Sequence, residues 1–214
     1  MLGKSRQGCI TRHRVECCLL LVIAVFAQPC VASDVAETPA QVVTRLQSGL
    51  IGIMKEADSL GYSGRYQRLQ PLLTSTHDLD IIGQIAIRRH WKMLDDVQRA
   101  DYLDTFRKLT VATYASRFNR FNDQYFGLLD QKALSHGRHL VKTQLTRKNS
   151  EPVQLDYILH LSGGRWRIIN IIADGVSDLA IKRSQYNAVM NDHDLEYLLD
   201  KLQQKIDDYA ADIH

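Results

Sequence analysis

With 214 residues, the chain is long enough for one domain with a sizeable core. Its formal net charge of +3 and all four cysteines trace to the first 32 residues, and the remainder carries 23 basic and 23 acidic residues. A neutral, cysteine-free body is a poor nucleic-acid binder by bulk electrostatics, and disulfides, cysteine-bound metals and thiol catalysis are excluded from it.

Residues 1–32 read as a cleaved signal peptide. Lys4, Arg6, Arg12 and Arg14 make a basic start, and Cys17–Ala27 is an apolar run too short to span a bilayer comfortably. Cys30-Val31-Ala32 supplies small residues at −3 and −1, so cleavage is expected after Ala32. The alternative is an uncleaved anchor. Residues 33–38 then form a short linker, and residues 39–214 a single domain.

The first helix is expected over Pro39–Ala57, capped by Thr38 with Pro39 at its first position. Val42, Val43, Leu46, Leu50, Ile53 and Met54 give its apolar period. Gly61 ends this region. Tyr66, Leu69, Leu72 and Leu73 suggest a short helix interrupted by Pro71. A third helix starts at Asp78 or Asp80 and carries Ile81, Ile82, Ile85 and Ile87 toward Trp91. The longest helix is capped by Asp95 with Gln98. Leu103, Phe106, Thr110, Tyr114, Phe118 and Phe121 form an aromatic stripe along it, which core packing explains.

After Asn122 the period changes to that of strands. They are expected at Tyr125–Leu129, His139–Arg147, Val153–Leu161 and Trp166–Ile172. Gly163-Gly164 centres a two-residue turn. In the plain register Leu161 faces Trp166, Leu159 faces Ile168, Tyr157 faces Asn170 and Leu155 faces Ile172, all on one side. Two helices close the chain, one at Asp178–Met190 capped by Ser177, the other starting at Asp192 or Asp194. Helices, antiparallel sheet, helices is an α+β order, with helices on one face of a roughly four-stranded antiparallel sheet.

Candidate chemistry is sparse. His136-x-x-His139 and His160 lack an acidic ligand at metal-site spacing, and Asp78 and Asp80 read as helix caps. The sequence holds no G-x-S-x-G, P-loop or G-x-G-x-x-G. Asp174 is the remaining candidate. In an apolar cavity it could serve as a base of raised pKa, as in cone-shaped α+β isomerases. Asp174-Gly175 is also a standard turn pair, and that structural role is the expected one.

Trp166–Val189, "WRIINIIADGVSDLAIKRSQYNAV", resembles the C-terminal signature of the MlaC family of periplasmic phospholipid-binding proteins, also called toluene-tolerance auxiliary proteins. Asp174, Gly175, Val176, Ser177, Arg183 and Tyr186 match that signature. Tyr66–Phe118 is similar to the family's middle region, through Pro71-Leu72, Trp91, Gln98-Arg99, Phe106, Leu109 and, one residue late, Tyr114. "DGVSDLAIKRS" is closer to the hopanoid-associated HpnM branch. His77 departs from a frequent Phe, and Arg88-Arg89 from a Leu-Gly.

The resemblance implies a periplasmic lipid shuttle rather than an enzyme. It would be a monomer carrying phospholipid or a hopanoid-type lipid between an inner-membrane ABC transporter and an outer-membrane complex, with no cofactor. The implied apolar cavity would be lined by Leu69, Leu73, Ile85, Leu103, Phe106, Tyr114, Phe118, Leu155, Tyr157, Leu159, Trp166, Ile168, Asn170, Ile172, Val176 and Leu179.

Overall fold

A computed structural model describes residues 37–211. The expected cleavage after Ala32 and residues 33–36 of the linker lie outside them. The described elements are α1 (Pro39–Lys55), α2 (Ala57–Thr76), α3 (Leu79–Ala86), α4 (Arg88–Trp91) and α5 (Asp96–Arg117). They continue with β1 (Tyr125–Leu134), β2 (Arg138–Arg147), β3 (Ser150–Ser162), β4 (Arg165–Ala173), β5 (Val176–Ser177), α6 (Asp178–Asp192) and α7 (Leu195–Ala211). No described helix is long and apolar enough to cross a membrane.

The helix starts follow from local chemistry. Thr38 accepts a bond from the Gln41 N–H, and the Gln41 side chain accepts one from the Thr38 N–H at 2.7 Å. Asp95 and Gln98 make the same reciprocal box at 2.8 and 3.0 Å. Asp78 caps α3 through the Ile81 N–H, and Ser177 caps α6 through the Ala180 N–H. Glu37, expected in an exposed linker, instead pairs with Arg45 at 2.9 Å.

α2 departs from the expected short helix. It runs through Pro71, whose ring sits on the exposed side. The break falls earlier, at Gly61, where φ 57° and ψ −174° interrupt the helical path. That conformation is essentially open only to glycine.

The sheet is antiparallel, has five strands rather than four, and runs in the order β1-β2-β3-β4-β5. The Gly163-Gly164 turn stands as expected, and so do the pairs Leu161↔Trp166 and Leu159↔Ile168. Beyond them the register differs. A bulge at Ile169 pairs Ile158 with Asn170, Tyr157 with Ile171, Asp156 with Ile172 and Leu155 with Ala173. Asn170 and Ile172 therefore lie on the face opposite Leu159 and Tyr157, not beside them. A second bulge, at Leu129, shifts β1 along β2.

α1 and α2 lie across the Leu159 face, while α3 and α6 pack against β4. α5 spans both regions: Val111 and Ala115 pack with α1 and α2, whereas Tyr102 and Phe106 pack with α3, α6 and α7.

Candidate functional site

Twelve of the sixteen candidate residues fall into two apolar clusters, and four lie in neither. Leu69, Leu73, Tyr114, Phe118, Leu155, Tyr157, Leu159, Trp166 and Ile168 come together in a sheet-side cluster between α1, α2, the C-terminal half of α5 and the sheet. Leu103, Phe106 and Leu179 instead join a helix-side cluster built from α3, α5, α6 and α7. The α5 stripe is therefore not one surface. Ile85 and Ile172 are half-buried outside both groups, and Val176 is 57 % exposed on β5. Asn170 serves α6 rather than a cavity: its Oδ1 accepts from the Ser177 hydroxyl at 3.1 Å and from the Leu179 N–H at 3.4 Å.

Leu159 and Ile168, at the centre of the sheet-side cluster, have no exposed surface. Their neighbours Leu69 and Leu73 on α2 are equally covered, so side chains fill this layer. Within it sits a polar trio that the apolar pattern conceals. Gln47 Nε2 donates to Thr143 Oγ1 at 3.0 Å and to Tyr157 Oη at 3.3 Å, and Thr143 passes a bond to the Leu155 carbonyl at 3.4 Å. Burial raises the Tyr157 pKa, and its bonds to Gln47 and Thr143 pull it partly back. The sequence does carry a signal for this trio. Gln47 falls on the buried stripe with Val43, Leu46 and Leu50, and Thr143 alternates with Val141 and Leu145.

His77 stands at the boundary between the clusters. Its backbone pairs with Ile168, and its ring meets the Tyr114 edge at 6.1 Å between centroids. Nδ1 lies 2.9 Å from Thr76 Oγ1, while Nε2 is buried without a partner. Burial lowers its pKa from 6.5 to about 4. Next to it, Asp78 reaches His160 Nε2 at 2.8 Å, joining the start of α3 to β3. No group of three or more potential metal ligands occurs among the described residues.

Asp174 is an exposed turn residue. It and Gly175 take φ 47° and 83°, the backbone of a two-residue hairpin turn between Ala173 and Val176. Its Oδ1 accepts from the Gln154 N–H at 2.8 Å, and its own N–H donates to the Gln154 carbonyl at 3.0 Å. The carboxylate extends the ladder of β3 and faces no apolar cavity.

The sheet-side cluster reaches the surface at one end, where a cleft of about 240 Å³ opens. Met54, Phe118, Phe126 and Leu145 form its apolar lining. Phe118 ties cleft to core, because it stacks on Tyr114 at 5.2 Å and packs against the cluster. The cleft is smaller than the roughly 300–1,000 Å³ usual for small-molecule sites. An acyl chain would therefore have to part α1 and α2 from the sheet.

Comparison with known proteins agrees with this architecture. The chain is 26% identical over 189 residues to the toluene tolerance protein ttg2D of Pseudomonas putida, covering 85% of this chain and 86% of the relative. It is 21% identical over 131 residues to the intermembrane phospholipid transport system binding protein MlaC of Haemophilus influenzae, covering 59% and 61%. The fold matches a phospholipid-binding protein from Ralstonia solanacearum, solved in complex with a phospholipid. That match has a TM-score of 0.69 and 20% identity, and covers 82% of this chain and 98% of that one. The family model described as MlaC protein matches residues 44–204, most of the described fold, and the chain belongs to the MlaC family.

Proposed function

We propose that the protein binds phospholipid in the periplasm and carries it between an inner-membrane ABC transporter and an outer-membrane partner. The observation that carries this reading is the family match over residues 44–204, which takes in the sheet-side cluster apart from Val42 and Val43 at the start of α1. The acyl chains enter that cluster between α1, α2 and the sheet, with Leu159 and Ile168 beneath them. Magnitudes allow it. Each methylene moved out of water gains about 0.8 kcal/mol, so a few offset both Gln47 bonds, each worth about 1 kcal/mol net. The protein acts as a monomer, needs no cofactor, and catalyses no reaction. A hopanoid-type lipid is the alternative cargo, since the same layer would accept a rigid apolar body.

Native mass spectrometry of the protein purified from the periplasm without detergent tests this. The expected result is a population heavier by one phospholipid, lost on organic extraction. Protein of bare mass that also takes up no lipid from vesicles would overturn it.

A further inference from the structure

The mouth of the sheet-side cluster carries basic side chains that form no ion pair among the described residues. Arg117 in the last turn of α5, Arg120 in the following loop and Arg147 at the end of β2 all line the cleft. Each is exposed. Lys55, beside Met54 at the end of α1, sits over the Phe121 ring at 5.1 Å and adds a fourth cation nearby. Like charges gathered at one opening repel one another, and an anion between them removes that repulsion. Guanidinium groups suit phosphate oxygens, which they bind in a planar fork. The same cleft has an apolar part, Met54, Phe118, Phe126 and Leu145, continuous with the core through Phe118. A ligand matched to both halves is an amphiphile with an anionic head.

Resting on the proposed phospholipid binding, we infer that Arg117, Arg120 and Arg147 form a headgroup site that selects phospholipids of net negative charge. The phosphate lies among the three guanidinium groups while the acyl chains pass over Phe118 into the sheet-side cluster. A zwitterionic head brings an ammonium toward the same cations and is disfavoured.

The purified protein is incubated with vesicles holding equal amounts of phosphatidylglycerol and phosphatidylcholine with matched acyl chains, and bound lipid is then measured by mass spectrometry. The expected ratio favours phosphatidylglycerol by about five- to tenfold at low salt and shrinks at high salt. Combining Arg117→Gln, Arg120→Gln and Arg147→Gln brings the ratio near one, read on whatever lipid remains bound, whereas lysine at all three positions keeps most of the preference. Arg120→Gln alone, on the loop, lowers it in part and serves if the triple variant does not fold. A ratio near one in the parent protein, or one unchanged in every glutamine variant, overturns the headgroup site and leaves phospholipid binding standing. No lipid bound by the parent overturns both. Tight saturable binding of inorganic phosphate or glycerol phosphate to the parent, without lipid selectivity, would make this a site for a soluble phosphate and overturn the inference.

Discussion

The two apolar clusters are buried to a similar degree but held together differently. The helix-side cluster is locked by aromatic contacts: Phe106 lies tilted against Tyr102 at 6.0 Å and edge-on to Tyr186 at 6.5 Å between centroids. The Tyr102 hydroxyl donates to the Gly83 carbonyl at 3.0 Å, fixing α5 to α3. The sheet-side cluster contains the Gln47–Thr143–Tyr157 trio and runs out to a cleft. Burial alone therefore does not distinguish a scaffold from the layer proposed to admit lipid. The difference lies in what the boundary is made of.

Phe106→Ala should give the largest effect, a loss of about 3–5 kcal/mol. The loss should be equal with and without phospholipid vesicles, as read from denaturant midpoints. If lipid reduces it, the helix-side cluster also receives the ligand and the contrast between the clusters fails.

His77 sharpens the boundary. Its folded pKa of about 4 lies below the ordinary 6.5, so the unfolded chain takes up a proton first as pH falls. Stability should therefore decline from about pH 6.5 and level off below about pH 4, with a full loss of about 3 kcal/mol. Asp178 and Lys182 of α6 act on the ring in opposite senses, and neither outweighs burial. His77→Phe should remove this segment of the pH profile while leaving the carboxylate titrations in place. An unchanged slope would show that the ring is not held neutral by its surroundings.

Leu159→Trp tests the sheet-side layer itself. Because Leu159 has no free surface, the larger ring should overpack the lipid-free protein by about 1–3 kcal/mol and lower its lipid content. Full lipid content in the variant would move the acyl chains away from Leu159.

The smallest effect belongs to the turn that leads from the sheet toward α6. Asp174→Asn should change stability by less than about 0.5 kcal/mol, because Asn tolerates the same backbone and keeps an acceptor for Gln154. Gly175→Val should cost about 1–2 kcal/mol or more at φ 83°. Loss of lipid transfer in Asp174→Asn, with fold and bound lipid intact, would give the carboxylate a role beyond the turn.

Much of this architecture was legible in the residues because its signals are local. The Thr38 and Asp95 caps, the Gly163-Gly164 turn and the Leu159–Ile168 pair each depend on a few neighbouring positions. What escaped depends on distant chain segments. No residue type marks Ile169 as a bulge, so the plain register sent Asn170 and Ile172 to the wrong face. The α5 stripe looks continuous in one dimension, yet different partners cover its two ends. Arg117, Arg120 and Arg147 are ordinary surface residues until the sheet brings β2 beside the end of α5.

A bulge is in effect an insertion that a strand has absorbed, and the one at Ile169 marks the point where β4 can lose a residue without shifting its other pairs. Deleting that single residue would leave the later pairs, Ile158↔Asn170 to Leu155↔Ala173, in place and close them into a regular ladder. Forcing Ile169 into the ladder opposite Ile158 would instead swing Asn170 toward the apolar layer, take its Oδ1 acceptor from α6 and turn Ile171 away from Tyr157. A residue lost or gained elsewhere in β4 meets no such slack and would turn the side chains beyond it over.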